Sequence, residues 1–167
     1  MPLTPVEREE LIGRYEAGPD KLRAAFETVP EQARQWRPGP DRWSAHEIVC
    51  HAADSETSGA MRIRFLVSEK DPLIQGYDEA QWARDFDYHR HSTDLAFAAV
   101  AAVRANTAAL VRRFTEEQWS KAGRHSDSGP YSAETWLRIY AEHLEKHSRQ
   151  IGRNLEAWKA GGRAGGH

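Results

Sequence analysis

Apolar residues recur at helical spacing through most of this chain, and no segment shows the sustained two-residue alternation of a half-buried strand. The first apolar segment contains a Gly18-Pro19 step, which predicts a break or kink. The pattern predicts helices over residues 5–29 with that break, 44–67, 92–114 and 132–158. The inward positions of the third long helix are predicted to be Leu95, Ala99, Val103, Asn106, Leu110 and Phe114.

Polar residues that can cap helices precede these segments. In a capping box, a Ser or Thr hydroxyl and a Glu or Gln side chain three residues later each accept a free backbone N–H. Three such pairs precede predicted helical segments: Thr4 with Glu7, Ser44 with Glu47, and Thr115 with Gln118. The last pair predicts a short additional turn, and Ser132 predicts the start of the final helix.

Two long connections separate the predicted helices. Residues 68–91 are charged, contain Pro and Gly and show no apolar stripe, and residues 121–132 form a second loop. A connection of about 24 residues is long for a compact domain, and such loops tend either to be functional or to cross over the fold. We therefore predict an all-α four-helix bundle with long crossover connections. A single domain covers residues 1–158, and a flexible Gly-rich tail covers 159–167.

Composition narrows the set of partners. The 167 residues include 23 Lys plus Arg and 25 Asp plus Glu, a formal net charge of −2, which lacks the basic surplus of a nucleic-acid-binding protein. No apolar run approaches the roughly 20 residues that cross a bilayer, and the N-terminus lacks the apolar stretch of a signal peptide. The single cysteine, Cys50, forms no internal disulfide. We expect a cytoplasmic protein that acts on a small molecule, without nucleic acid or membrane.

Two histidines share the apolar stripe of the final helix. His143 and His147 are four residues apart, which places both imidazoles on one face with Cβ atoms about 6 Å apart. The same face carries Trp136, Tyr140, Leu144, Ile151, Leu155 and Trp158. Burial of two polar rings costs free energy unless their nitrogens find partners, and one metal ion satisfies both. Glu145 points away from this face, so the pattern of a zinc protease is not met.

A third metal ligand is predicted on the second helix. His51 lies on its inward stripe, where the small residues Ala52, Ser55 and Gly59 leave room beside the ring. A lone histidine on an apolar face is more often a satisfied core residue, so the histidine pair carries the prediction. The alternatives left open are His46, His89, His91 and His125. Cys50 is expected to be a small buried packing residue.

Three neutral imidazoles would leave a divalent ion, zinc or nickel, with its full charge and at least one open position. Such a site acidifies a bound water for hydrolysis, or a bound thiol for attack on an electrophile. No catalytic side chain is predicted, because the reactive group is the water or the thiol itself. The candidate acceptors for the imidazole N–H groups are Asp54, Glu56, Asn106 and Tyr140.

Several stretches of the chain resemble one known family. The segment Trp43-Ser44-Ala45-His46-Glu47-Ile48-Val49-Cys50-His51-Ala52-Ala53-Asp54, preceded by Arg37-Pro38-Gly39, resembles the signature of the DinB/YfiT-like superfamily. The stretches Arg62-Ile63-Arg64-Phe65, Pro72-Leu73-Ile74 and Tyr77-Asp78-Glu79-Ala80-Gln81-Trp82-Ala83 are similar to its YfiT-like branch. The helix with His143 and His147 completes the pattern.

The resemblance implies a four-helix bundle with one divalent metal ion held by His51, His143 and His147. It also implies a homodimer, and we expect Trp82, Phe86 and Tyr88, which lie in a long polar loop, to pack on the partner. Members were first described as metal-dependent hydrolases, and some relatives are transferases or isomerases that use bacillithiol or mycothiol. We therefore expect a metal-dependent thiol S-transferase with a low-molecular-weight thiol as co-substrate. The alternatives are a metal-dependent hydrolase and a non-catalytic, stress-related bundle braced by the metal.

Overall fold

The computed structural model describes residues 2–162, most of which belong to four long helices. The helices are α1 (Pro5–Glu27), α2 (Ala45–Ser68), α3 (Glu79–Asp85), α4 (Thr93–Val111), α5 (Glu116–Trp119) and α6 (Ala133–Gly162). Short 3₁₀ turns span Glu31–Ala33 and Tyr88–Arg90. The strands are β1 (Leu73–Ile74), β2 (Ala122–His125) and β3 (Gly129–Ser132).

The predicted helix starts are confirmed by their hydrogen bonds. The Glu47 N–H donates to Ser44 Oγ at 3.2 Å, and the Ser44 N–H donates to Glu47 Oε2 at 2.9 Å. The same two-way exchange joins Thr4 to Glu7 and Thr115 to Gln118. These bonds satisfy N–H groups that a helix start leaves free, so α2, which carries His51, has a fixed N-terminus.

The long helices form a ring. α1 and α2 each pack against both α4 and α6, which places α1 diagonally opposite α2. Residues 28–44, which join α1 to α2, therefore cross the bundle, as do residues 112–132 between α4 and α6. The predicted four-helix bundle with long crossover connections is confirmed. Residues 68–91, however, do not cross the bundle, because the helices that they join, α2 and α4, pack directly against each other.

Two apolar clusters fill the bundle, one toward each end. One cluster includes Leu22, Ile48, Val100 and Leu144, and the other includes Tyr15, Ile63, Trp136 and Leu137. Between them lies a polar layer formed by the fully buried side chains of Glu56 and Arg104. The candidate metal centre lies beside this layer.

The break predicted at Gly18-Pro19 does not occur, because α1 runs without interruption from Pro5 to Glu27. Proline has no N–H, so Pro19 leaves the carbonyl of Tyr15 without its usual helical donor. The buried guanidinium of Arg104 donates to this carbonyl instead. Gly18 makes room for it, since a Cβ at this position would collide with the guanidinium. An arginine from α4 thus compensates for the proline in α1.

The buried face of α4 differs from the predicted one. Leu95 is 66% exposed and Asn106 is exposed, so these predicted inward positions are wrong. The buried residues are Ala96, Phe97, Val100, Arg104, Thr107, Ala108 and Val111. Because α4 is apolar at most positions, its apolar pattern does not single out one face. The sequence was expected to contain no apolar run of the length that crosses a bilayer, but α4 is long and apolar enough to do so. Buried core helices of soluble proteins meet the same two criteria.

The connections contain structure that the sequence did not predict. β1 pairs in parallel with β2, and β2 pairs with β3 in a hairpin that places Gly123 opposite Tyr131. Gly129 has a φ of +79°, in the left-handed region that favours glycine at a tight turn. The fold is predominantly helical, and this small sheet joins residues 68–91 to residues 121–132.

The final helix begins where predicted and ends later. Ser132 Oγ accepts from the Thr135 N–H at 3.0 Å, which confirms the predicted cap. α6 continues to Gly162, so residues 159–162 of the predicted flexible tail are helical. Residues 163–167 of that tail lie outside the described residues.

Candidate metal centre

His51 on α2 meets His143 and His147 on α6. One ring nitrogen of each lies within 4.8 Å of those of the other two. The Nε2 atoms of His143 and His147 are 3.1 Å apart. The ring centroid of His51 lies 5.7 Å from that of His143 and 4.9 Å from that of His147. The structure therefore brings the three predicted ligands together, in an arrangement that could hold one metal ion.

Glu56 orients His143. The Nδ1 atom of His143 lies 2.8 Å from Glu56 Oε1, so donation of its proton to the carboxylate leaves the lone pair on Nε2. Burial alone would raise the pKa of Glu56. The charge of Arg104 and the hydrogen bonds from His143 and Arg104 outweigh this effect and hold the pKa below its ordinary value. Glu56 is therefore an ionised acceptor.

Arg104 holds Glu56 in place. Its Nε donates to Glu56 Oε2 at 2.8 Å, and its Nη2 donates to Oε1 at 2.7 Å. The same guanidinium donates to the carbonyls of Tyr15 and Tyr140. A buried ion pair is stable only when such additional bonds satisfy its remaining polar atoms. The contacts from Arg104 through Glu56 to His143 thus connect the polar layer with the candidate metal centre.

His147 and His51 are positioned in different ways. His147 Nδ1 lies 3.0 Å from Gln150 Oε1, which leaves Nε2 on the side of His143. His51 is 1% exposed and packs on the indole ring of Trp43, with centroids 4.5 Å apart. Its buried Nδ1 has no hydrogen-bond partner within residues 2–162. A hydrogen bond therefore holds the His147 ring, whereas packing against Trp43 holds the His51 ring.

Burial keeps two of the imidazoles neutral. It lowers the pKa of His147 to about 4, with a further contribution from His143, and it lowers the pKa of His51 well below the ordinary value. A neutral imidazole offers the lone pair that a metal ion needs, whereas a protonated one does not. The neutral rings of His51 and His147, together with the hydrogen bonds that orient His143 and His147, therefore suit a divalent metal ion.

Two polar side chains border the histidines. Glu79, at the start of α3, places Oε2 3.9 Å from His51 Nε2, and its side chain is half exposed. Burial raises the pKa of this carboxyl group. Ser55 Oγ lies 3.4 Å from His143 Nε2. The connection between α2 and α4 thus contributes a carboxylate beside the centre.

The alternative ligands left open by the sequence lie elsewhere. Three of the four make other hydrogen bonds through their rings: His46 with the His91 carbonyl, His89 with Ser44 Oγ, and His125 with the Asp127 N–H. In the part of the chain that the structure describes, the only cluster spaced to hold a metal is His51, His143 and His147. Cys50 is buried, as expected of a packing residue, and burial raises the pKa of its thiol to about 12.

Of the four predicted acceptors for imidazole N–H groups, Glu56 contacts a metal-centre histidine in that role. The other three are placed differently: Asp54 accepts from the Tyr88 hydroxyl at 2.5 Å, the Tyr140 hydroxyl accepts from Arg62 at 3.3 Å, and Asn106 lies on the exposed face of α4. These three predictions are wrong because helical spacing places a residue on a face without fixing which side chain it meets there.

Three residues of this site, Gln150, Arg104 and Glu79, were not predicted from the sequence. Gln150 follows His147 by three residues, a helical spacing that could have revealed it. Arg104 lies in an apolar helix, where a charged residue is normally assigned to the solvent face. Glu79 lies in a connection without periodicity, so no sequence pattern related it to the histidines.

Comparison with known proteins relates this architecture to a family. The sequence profile of the DinB superfamily matches residues 14–151. The chain belongs to the DinB superfamily. A Bacillus licheniformis protein with the provisional name of metal-dependent hydrolase is 30% identical over 149 residues, which cover 87% of this chain and 83% of that protein. The resemblance found in the sequence is confirmed.

Solved structures show the same fold as this DinB-superfamily chain. YfiT from Bacillus subtilis, described as a probable metal-dependent hydrolase with an unusual four-helix bundle topology, matches with a TM-score of 0.87 at 23% identity. The match covers 94% of this chain and 90% of YfiT. A mycothiol-dependent maleylpyruvate isomerase matches with a TM-score of 0.59 at 13% identity, over 86% of this chain and 57% of the isomerase. The names of the relatives and the three-histidine cluster together support a divalent metal ion.

Proposed function

We propose that this protein is a metal-dependent thiol S-transferase in which His51, His143 and His147 hold one divalent ion, zinc or nickel. The observation that carries the proposal is the convergence of these three imidazoles, each with one ring nitrogen within 4.8 Å of the others. Three nitrogen ligands leave at least one coordination position for a small molecule, which is typical of catalytic rather than structural sites.

A divalent ion at this centre would supply a Lewis acid that favours the deprotonated form of a thiol or a water molecule. The residues around it have separate roles. Glu56 keeps the Nε2 lone pair of His143 available, and Trp43 covers one side of the buried His51 ring. Glu79 Oε2 lies at the border of the centre, where it can accept the thiol proton.

The proposed transfer balances without a further reactant. The thiol gives up its proton, its sulfur forms a bond to the electrophilic carbon, and the leaving group departs with its bonding electron pair. For a chlorinated electrophile the leaving group is chloride. Cys50 is the single cysteine and is buried, so the thiol is a separate low-molecular-weight co-substrate.

The alternatives have support of their own. The name of the mycothiol-dependent isomerase associates this fold with thiol chemistry and favours transfer. The provisional name of the Bacillus licheniformis relative favours a hydrolase, in which water takes the place of the thiol. A non-catalytic bundle, in which the ion connects α2 to α6, is supported because His51 lies on α2 and His143 and His147 lie on α6.

Assays of the zinc-loaded and nickel-loaded protein separate these candidates. A panel of thiols with a chlorinated electrophile tests transfer, and a panel of esters and amides tests hydrolysis. Transfer requires that conjugate and chloride form together, depend on metal and thiol, and disappear in His143→Ala. Thiol-independent cleavage of an ester or amide would replace transfer with hydrolysis. No turnover in either panel by a fully loaded protein would favour the brace.

We also propose that the protein forms a homodimer. The residues expected at the interface are placed differently in the structure. Tyr88 is 3% exposed and is buried within its own chain, and Trp82 stacks on Tyr77 with centroids 4.2 Å apart. Phe86 remains 57% exposed. One exposed phenylalanine is a small contact for a dimer, so a larger surface is needed.

The outward face of α4 is a better interface for a second copy. Arg104 is the only charged residue between Asp94 and Arg112, and it is buried, so this face carries no charge over 17 residues. Its exposed residues include Ala98, Ala101, Ala102, Ala105 and Ala109, which allow two helices to approach closely. Antiparallel pairing across a twofold axis would bring Asp94 of one copy near Arg113 of the other.

A further inference from the structure

Two stripes of residues lead away from the histidines along α2 and α6. The α2 stripe is His51, Ser55, Gly59 and Arg62, and the α6 stripe is His147, His143, Tyr140 and Trp136. The stripes are in contact, because Ser55 Oγ lies 3.4 Å from His143 Nε2 and the Trp136 indole N–H donates to the Gly59 carbonyl at 2.8 Å. A Cβ at Gly59 would collide with the Tyr140 ring. The Tyr140 ring therefore packs against Gly59, which is about one helical turn from Ser55 along α2.

Hydrogen-bond donors meet at this end of the stripes. The Arg62 guanidinium donates to the Tyr140 hydroxyl at 3.3 Å and lies 5.6 Å from the ring centroid of Tyr77. The Tyr77 hydroxyl oxygen is buried and has no hydrogen-bond partner among the described residues. A phenol is protonated at neutral pH, so both hydroxyls can donate a hydrogen bond. A buried hydroxyl without a partner costs free energy, and a ligand that accepts its proton removes this cost.

Arg62 makes no ion pair at contact distance with any described residue. Within residues 2–162, no Asp or Glu oxygen lies within 4.0 Å of its guanidinium nitrogens, and the nearby Glu79 carboxylate acts on it only at longer range. Besides the Tyr140 hydroxyl, Arg62 donates to the Gln75 carbonyl at 3.0 Å. A guanidinium with remaining N–H groups beside two phenolic donors suits a planar carboxylate.

We infer that Arg62, Tyr77 and Tyr140 form a subsite for a carboxylate, or a similar anionic oxygen group, on the electrophile. The inference rests on the proposed function, because it assigns the substrate class of the same centre. Because Arg62 lies at the opposite end of the α2 stripe from His51, an electrophile with its anionic end at Arg62 would place its reactive carbon nearer His143.

Binding of propionate, and of its neutral isostere propionamide, to the zinc-loaded protein tests the subsite without any reaction. Calorimetry should show that propionate binds about tenfold more tightly than propionamide, because a hydrogen bond to a charged group is stronger than one to a neutral group. Arg62→Gln should weaken propionate binding about tenfold and leave the zinc content unchanged. Tyr77→Phe, which removes only the unpartnered hydroxyl, should weaken it severalfold.

Arg64→Gln is the matched control. Arg64 is on the same helix, but its guanidinium donates to the Ala60 carbonyl and the Thr107 hydroxyl, so propionate binding should match the wild type. Equal propionate affinity of the wild type and Arg62→Gln would overturn the subsite, since the carboxylate would then bind the metal alone. Equal affinities for propionate and propionamide would also overturn it. If the transfer assay fails but propionate binding still depends on Arg62, the proposed function is refuted and the subsite is supported.

Discussion

Glu56 Oε1 lies 2.8 Å from His143 Nδ1, and the same oxygen accepts from Arg104 Nη2 at 2.7 Å. This one carboxylate balances the charge of an arginine in the core and also sets which nitrogen of His143 faces the candidate metal centre. The stability of the bundle and the geometry of the metal centre therefore depend on a shared side chain.

Glu56→Gln should impair both properties. It leaves the buried Arg104 without its counter-charge, and we expect the free energy of unfolding to fall by about 3–5 kcal/mol. Loss of the carboxylate behind His143 should lower zinc affinity by about 10–100-fold. Urea unfolding and competition with a zinc chelator measure the two effects. Asp54→Asn is the control, because Asp54 contacts the Tyr88 hydroxyl and no metal-centre histidine, and its zinc affinity should match the wild type. Unchanged zinc affinity in Glu56→Gln would contradict the orienting role.

His143→Ala and His147→Ala should each lose the metal ion, because two remaining nitrogen ligands rarely hold an ion against a buffer. Metal analysis of the purified proteins after dialysis provides the measurement. His46→Ala should keep a full equivalent, since His46 bonds with the His91 carbonyl and lies outside the histidine cluster. Full occupancy in both α6 variants would show that these histidines are not the ligands.

Gly18→Ala and Gly13→Ala should change stability in opposite directions although both lie in α1. A Cβ at Gly18 would collide with the Arg104 guanidinium, so we expect a loss of about 1–3 kcal/mol. A Cβ at Gly13 meets no atom within 4 Å, so the higher helix propensity of alanine should stabilise the protein by about 1 kcal/mol. Urea denaturation compares the two. If Gly18→Ala stabilises the protein as much as Gly13→Ala does, the position of the Arg104 guanidinium beside α1 does not require a glycine at residue 18.

The proposed α4 interface predicts the mass of the protein in solution. Sedimentation should give about 38 kDa, twice the chain mass of 19.0 kDa. Ala105→Glu places a charge in the middle of the uncharged face and should yield a monomer. Ala157→Glu, on the exposed side of α6, should leave the dimer intact. A dimer that tolerates Ala105→Glu would place the interface elsewhere, and a wild-type mass of 19 kDa would refute the dimer.

The parts of the fold that could be predicted depend on local signals. The Ser44 and Glu47 box defines the start of α2, and the apolar stripe of α6 places His143 and His147 on one face. His51 could be added because its own helix has a stripe of small and apolar residues. These features depend on residues within a few turns of one another.

The parts that could not be predicted depend on contacts between distant segments. Pro19 breaks a helix in isolation, but here Arg104, 85 positions later in the chain, donates to the carbonyl that the proline leaves free. The same arginine determines which face of α4 is buried, because its partner Glu56 lies on another helix, α2. β1 pairs with β2 across nearly 50 residues, and neither strand alternates apolar and polar residues.

The proposed function requires that the three-histidine centre hold a metal ion with a position open to a thiol. Absorption spectroscopy of the cobalt-substituted protein tests it most directly, because a thiolate bound to cobalt produces a charge-transfer band. We expect this band on addition of a small thiol, with tighter binding as pH rises, since the deprotonated thiol is the metal ligand. The band should be lost in His143→Ala. A cobalt-loaded wild-type protein whose spectrum no thiol changes would contradict the proposed function.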